Sequence, residues 1–477
     1  GYEVIYMGQD FAAPGAKAVS LYEDKQRNYT QEFRLQSSNP DARLRWVLGG
    51  FFTSGRQTSD QLIESNTFFL ADSFFGIPNL DNRRPFGPGF NNTQNIWGAP
   101  MIGDSGTYAA NAIAREKQLA AFGQVDFKLT DKLTLTAGAR LSKNWLRYSL
   151  AGTGPENNLN APFGAPCPTG AGTCPFGSGI FAPVYPAGAV KTVEKAFTPK
   201  VGVSYQIDER NLVYASAAKG FRPGGGQIPL PNACDSDLRD FGYVDANGNT
   251  FTPTSFKSDS VWSYEVGSKN KILGNFASIA ASAYLIKWKG IQTSLFLPTC
   301  AYNIIDNLTA ATIKGFDLSL DVRPAKGLTL SANVGYSHSS LDESLVSPTG
   351  SVILAKGSSI DNSGPPWTVI LSGQYEARLG AELGGYLRGD ITFTSEERPT
   401  GNTDPRVFNY DPRLRTNPEL TLVNTRIGLT RDGYDLSLFV NNLFDRSPIS
   451  ELRRTRYVFT GQTIQPRTIG VTFTARR

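Results

Sequence analysis

Sulfur and imidazole are scarce in this chain, whose 477 residues include four cysteines, two methionines and one histidine. One imidazole supports neither a Ser-His-Asp triad nor a His-rich metal site, and thiol chemistry has little material to work with. No Pro/Ser linker, charge run or shift in composition divides the chain, so a single large unit is expected. No stretch approaches the ~18 consecutive apolar residues of a membrane helix, so membrane residence would need another route. Lys and Arg number 47 against 42 Asp and Glu, and the resulting charge of +5 is spread along the chain. That argues against a nucleic-acid binder built on a basic patch. The start, Gly1-Tyr2-Glu3-Val4, has no Met, basic n-region or h-region, so the chain is expected to be processed or incomplete.

What is plentiful points elsewhere. The 48 Gly, 29 Phe, 19 Tyr and 6 Trp favour β-structure, and a 40% hydrophobic content excludes disorder. Period-two alternation dominates: Leu133, Leu135, Ala137, Ala139 and Leu141 alternate with Thr134, Thr136, Gly138 and Arg140. Phe316, Leu318, Leu320 and Val322 likewise oppose Gly315, Asp317, Ser319 and Asp321, and Ile469, Val471, Phe473 and Ala475 oppose Thr468, Gly470, Thr472 and Thr474. One face of each strand is apolar and the other polar.

The pattern predicts about fifteen strands, at 28–38, 43–53, 116–128, 133–148, 197–207, 211–222, 259–271, 275–290, 311–323, 327–340, 365–378, 382–396, 420–431, 433–444 and 465–476. Residues 1–27 read as the tail of an earlier strand and its loop. Connections alternate strictly between short and long. Short ones carry turn chemistry, as in Ser38-Asn39-Pro40-Asp41 and Arg431-Asp432-Gly433. Long ones span 54–115, 149–196, 223–258, 291–310, 341–364, 397–419 and 445–464, all expected at one end of the sheet. Short turns on one side, long loops on the other and two-faced strands are the signature of a transmembrane antiparallel β-barrel. A propeller would show a blade repeat of about 40 residues and a sandwich would lack the alternation of connections.

All four cysteines fall in long loops. Cys167 and Cys174 share one, and Cys234 and Cys300 occupy neighbouring ones. Three pairings are open, and proximity favours Cys167 with Cys174 and Cys234 with Cys300, in an exported, oxidising setting.

Several strings, in order, carry a resemblance: NYTQEFRLQSSNPDARLRWVLGGFF (28–52), FTPKVGVSYQIDERNLVYASAAKGFRPGGG (197–226), YEVGSKNKILGN (264–275), IKGFDLSLDVRPAKGLTLSANVGYSHSSLD (313–342), NNLFD (441–445) and PRTIGVTFTARR (466–477). Together they resemble the barrel of TonB-dependent outer-membrane receptors over nearly the whole chain. The resemblance implies a 22-strand barrel around a plug. The chain has no counterpart of the plug, the TonB box or the signal peptide, so 1–477 is expected to be the C-terminal portion of that barrel. The family usually ends in an aromatic residue, whereas this chain ends Ala475-Arg476-Arg477.

Enzyme chemistry finds little support. His338 reads as a surface histidine at the outer end of a strand. Glu396 and Glu397 alternate to opposite faces and cannot flank one bond. Asp245-Ala246-Asn247-Gly248-Asn249 opens like a calcium loop, but Thr250 and Phe256 stand where Gly and a bidentate Glu are needed, so a plain turn is expected. Gly224-Gly225-Gly226 lacks the Lys-Ser/Thr of a phosphate loop and reads as flexible backbone where a strand opens into a loop. Arg140, Lys200, Asp317, Asp321, Arg388 and Asp390 fall on polar faces and must meet water or polar partners. No catalytic residue, metal site or cofactor is expected.

The resemblance implies active uptake of a scarce nutrient, a siderophore–iron complex first among candidates, across the outer membrane. The implied partners are outer-membrane lipid, the TonB energising complex acting through the N-terminal region, and an extracellular nutrient; no nucleic acid is implied. A passive porin is the alternative. Trp97, Tyr108, Arg222, Tyr243, Tyr302 and Arg398 are candidate ligand contacts by residue type, since aromatic rings and Arg dominate recognition surfaces.

Overall fold

The computed structural model of the chain describes residues 18–65, 102–103, 106–153, 190–227, 230, 234–272, 276–297, 302–307, 309–347, 350–360, 363–455 and 458–475. A 15-stranded sheet dominates them, its spatial order following the chain. Its first members are β1 (Ala18–Gln36), β2 (Leu44–Ser65), β3 (Gly106–Lys128), β4 (Leu133–Thr153), β5 (Val190–Asp208) and β6 (Asn211–Arg222). Within the connection after β6 lie β7 (Gly225–Gly226), the short helix α1 (Asp235–Asp240) and β8 (Ser255–Phe256). The sheet resumes with β9 (Asp259–Ile272) and β10 (Ala277–Lys289), and the hairpin β11 (Gln292–Leu297) and β12 (Tyr302–Asn307) stands above it. Next come β13 (Ala311–Ala325) and β14 (Leu328–Leu341), with β15 (Leu345–Val346) and β16 (Val352–Leu354) in the connection that follows. The wall ends with β17 (Trp367–Arg378), β18 (Gly384–Thr394), β19 (Leu420–Arg431), β20 (Tyr434–Asn441) and β23 (Thr468–Ala475), the pair β21 (Ile449–Thr455) and β22 (Val458–Thr463) lying between the last two.

Every neighbour in the sheet is antiparallel, so successive connections leave from opposite ends. The short turns therefore share one end and the long connections the other, as the alternation predicted. Faces follow as well. Along β5, Val193, Phe197, Val201, Val203, Tyr205 and Ile207 are exposed, and the residues between them alternate to the other side. An apolar face of this extent, repeated from β1 to β23, fits lipid and not water.

Strand lengths differ from expectation at the long-loop end. Residues 18–27, read as an earlier strand's tail, are the outer half of β1 and pair with 56–65 in unbroken register from Ala18↔Ser65 to Arg27↔Arg56. Residues 54–65, 106–115, 149–153 and 190–196, assigned to loops, continue β2, β3, β4 and β5. The reason is polarity: above the apolar band both faces meet a polar environment, so alternation fades while backbone pairing persists. Among the described residues β1 and β23 are the sheet's edges, and neither has a second neighbour.

Candidate functional site

The buried apolar cluster of the described residues lies not in the wall but above it, in the long connections between β6 and β17. Leu230, Cys234, Leu238, Phe241 and Tyr243 from the α1 segment pack with Ile291, Leu295, Leu297 and Ile304 around the β11–β12 hairpin, with Leu341 at the upper end of β14 and with Ile353 and Leu354 of β16. Chain segments far apart thus form a small domain with an interior of its own. Its hydrophobic burial supplies what loops over an open mouth otherwise lack. Cys234 is fully buried there and disulfide-bonded. Cys167, Cys174 and Cys300 lie outside the described residues.

Polar ties join this layer to the wall. Glu194 of β5 accepts hydrogen bonds from the backbone N–H of Gly224 (2.9 Å) and Ser258 (2.7 Å). Gln227 donates to the carbonyls of Pro253 (2.7 Å) and Ile305 (3.0 Å) and accepts from the Ile305 N–H at 2.8 Å. Arg222 pairs with the buried Asp259, its Nη2 at 2.5 Å and its Nε at 3.2 Å from Oδ2, and covers the Trp288 ring at 5.5 Å. The glycine run is not there for flexibility: a Cβ on Gly224 would sit 2.2 Å from the Phe256 carbonyl oxygen, and one on Gly225 would sit 2.3 Å from its ring. Side-chain-free backbone is needed for β7 to approach β8.

A second set of ties holds the connections after β14 and β18. Arg398 donates to the carbonyls of Ser339 (2.9 Å) and Gly357 (3.0 Å), and its Nη1 lies 3.1 Å and 3.3 Å from the two ring nitrogens of His338. His338 is half-buried, also stacked on Tyr336, and not a free surface group. Asp404, buried beside Ser358, takes Arg406 at 2.6 Å and 2.9 Å and the Ser358 hydroxyl at 2.5 Å. The Arg406 guanidinium holds the Asp404 carboxyl down to a pKa of about 2, with the Ser358 hydroxyl assisting. Arg406 also donates to the Lys356 carbonyl at 3.0 Å, so one ion pair stitches two connections together.

The candidate contacts divide accordingly. Tyr243 and Arg398 are engaged inside the layer, whereas Arg222, at the end of β6, pairs with Asp259 at the layer's base and stays half exposed. The Tyr243 ring is buried and its hydroxyl donates to Asp306 at 2.8 Å; burial first, then that bond, pushes its pKa up. Trp97 lies outside the described residues. The backbones of Tyr108 and Tyr302 are in β3 and β12. Asp245 closes a turn, accepting from the N–H of Asn247 (2.9 Å) and Asn249 (2.8 Å) beneath a Val244–Thr250 bridge, and those bonds lower its pKa. Glu194, Gln227, Asp259, Asp404 and Arg406 gave no signal read from the sequence. One was present: Asp-Pro-Arg occurs twice, at 404–406 and 411–413, and each Asp pairs with its own Arg at 2.6 Å and 2.8 Å.

The polar face of the wall lines the other side of the molecule. Arg140 donates to Gln118 at 2.9 Å and lies over the Phe51 and Phe122 rings at 4.9 Å and 5.8 Å. Arg388 pairs with Asp390 at 2.8 Å, and Asp321 accepts from Ser331 at 2.6 Å. Against this face a cavity of about 630 Å³ is lined by Tyr214, Tyr284, Asp317, Asn333 and the Pro365–Pro366 segment. The NNLFD string closes the base of the last long connection. Asn442, at φ 52°, donates to the Arg446 (2.8 Å) and Gln465 (3.0 Å) carbonyls, while Asp445 receives the Arg467 N–H at 2.8 Å.

An antiparallel wall, apolar outside and polar inside, with short turns at one end and long loops at the other, is the architecture of an outer-membrane β-barrel. Residues 8–443 match the TonB dependent receptor-like β-barrel family, and the chain belongs to it. The metal-pseudopaline receptor of Pseudomonas aeruginosa is 25% identical over 255 residues, which are 53% of this chain and 30% of that protein. The ferric yersiniabactin uptake receptor of Yersinia pestis superposes with a TM-score of 0.64 at 14% identity, covering 96% of this chain and 56% of that one. The ferripyoverdine receptor of the outer membrane of Pseudomonas aeruginosa superposes at 0.55 with 16% identity, covering 98% and 51%. The chain therefore spans about a third to a half of the length of these relatives. The family places it in the outer membrane.

Proposed function

We propose that the protein takes up a scarce metal complex, of the ferric-siderophore kind, driven by the TonB complex of the inner membrane. The observation that carries this is the membership of residues 8–443 in the receptor barrel family, joined to a cap with its own buried core. Relatives with named cargo support the substrate class, since their names refer to metal-pseudopaline, ferric yersiniabactin and ferripyoverdine. In this reading Tyr243 and Arg398 brace the cap from within, and Arg222, half exposed beside Asp259, stays open to a ligand. Trp97, Tyr108 and Tyr302 are the remaining contact candidates. Cys234 pairs with Cys300, because Leu297 and Ile304, which flank Cys300 in sequence, share its buried cluster; Cys167 pairs with Cys174.

The wall is in this reading the C-terminal portion of a closed 22-strand barrel around a plug, because lipid tolerates no unpaired edge such as β1 and β23 present. The test is uptake of radiolabelled iron offered as different ferric siderophores to cells with and without the gene. Uptake that needs the gene, saturates and stops on loss of TonB supports the proposal. Gene-dependent uptake that persists without TonB would instead mark a passive pore.

A further inference from the structure

The strand register assembles a cationic row that no stretch of sequence displays. Arg27 faces Arg56, Arg56 faces Arg115, Arg115 faces Arg147, and Arg147 faces Lys191, across β1 to β5. Nearer the apolar band Lys143 faces Lys195, with Lys117 opposite Trp145 between the two levels. Alternation places all of these on the outer face: Leu141 and Phe197, exposed on the apolar side, share the parity of Arg147 and Lys191 on their strands. Each of the row's cations is exposed, and among the described residues none has an acidic partner. Glu116 and Glu194 alternate to the opposite face, and the nearest outward carboxylates, Glu23 and Asp60, face each other further up.

Like charges directly opposite across strands destabilise a sheet, and here they stand about 5 Å apart at their Cα atoms on four successive strand pairs. Such a row is sustainable where a dense layer of anions covers it. Its height identifies the layer. Lys143 and Lys195 stand one outward position, about 5 Å, above Leu141 and Phe197, and Lys191 about 15 Å above Phe197 after allowing for strand tilt, so the cations start where the apolar band ends and continue outward at the long-loop end. The Lys143 ammonium lies 4.9 Å over the Trp145 ring, an amphipathic pair suited to that boundary. The geometry points to a docking surface for the phosphorylated headgroups of an outer-leaflet glycolipid, held by Arg27, Arg56, Arg115, Arg147 and Lys191. Guanidinium groups suit phosphate because they offer paired donors, and continuity with the lipid-facing surface favours a lipid over a soluble anion.

The test uses the receptor purified from outer membranes and reconstituted in phosphatidylethanolamine nanodiscs with or without lipid A. The wild-type protein is compared with R56Q/R115Q/R147Q and with R210Q/K271Q/K326Q, a charge-matched control at the short-turn end. The first variant is expected to bind lipid A about a hundredfold more weakly, and the control to bind like wild type. In discs without lipid A the first variant should melt no lower than wild type, because like-charge repulsion has been removed. Adding lipid A should raise the melting temperature of wild type and of the control but not that of the first variant. Unchanged lipid A affinity would overturn the proposal, as would a lower melting temperature without lipid A, which would assign the row a purely structural role. An equal gain from inorganic phosphate would overturn the lipid assignment in favour of a generic anion site.

Discussion

The barrel wall and the loop cap use the same kinds of residue in opposite senses. In β23, Val471 and Phe473 are 67% and 65% exposed, whereas Leu297 and Ile304 in the cap are 0% and 1% exposed. The cap folds as a soluble domain does, by removing apolar surface from water. The wall cannot, because its apolar side chains meet lipid; backbone ladders and polar pairs on its inner face hold it together. Energetic sensitivity should differ in the same way, interior truncation hurting the cap and a charge on the outer face hurting the wall.

The largest expected effect is on the cap. Leu238→Ala should cost about 2–5 kcal/mol of local stability, seen as faster hydrogen exchange across 234–258 and 291–307 with the wall unchanged. If the wall loosened equally, the two regions would be one cooperative unit and the contrast would fail. Next, Val201→Arg on the lipid face should destabilise the wall by about 2–4 kcal/mol in bilayer urea titrations, while Val201→Ala should cost under about 1 kcal/mol. A costly alanine would mean that this face is packed against protein.

Acid should act on the cap first. The Asp404 carboxyl titrates at about 2 instead of the ordinary 3.8, so its contribution is fully present above 3.8 and is lost as pH falls through about 2. That loss amounts to about 2 kcal/mol, and proteolytic nicking within 350–360 and 404–415 should rise over that window but not in Asp404→Asn, which starts from the loosened state. The smallest effect is expected from Tyr243→Phe, about 1–2 kcal/mol, because it leaves Asp306 without the hydroxyl that donates to it at 2.8 Å. Hydrogen exchange at 302–307 reads it out, and no change there would mean that water replaces the hydroxyl.

The wall was legible because alternation is a local property. The strand predicted at 420–431 coincides with β19, and that at 211–222 with β6. Legibility ended where the apolar band ends: the segment Ser54-Gly55-Arg56-Gln57-Thr58-Ser59 is polar on both faces and has no apolar period, yet belongs to β2. The cap was illegible for a different reason. Arg222 meets Asp259 from 37 positions away, and Tyr243 meets Asp306 from 63, partners that no local pattern brings together.

Chain-local chemistry therefore determined the two-faced strands, the ends at which turns and loops emerge, and the membrane as surroundings, since each depends on neighbours a few residues apart. Register and packing decided the rest. A net charge of +5 spread along the chain gave no patch to read, yet pairing β1 through β5 brings Arg27, Arg56, Arg115, Arg147 and Lys191 into one row. Side chains separated by tens of residues become neighbours only when backbone hydrogen bonds set strands side by side, and that distance in sequence is why no local pattern announces them.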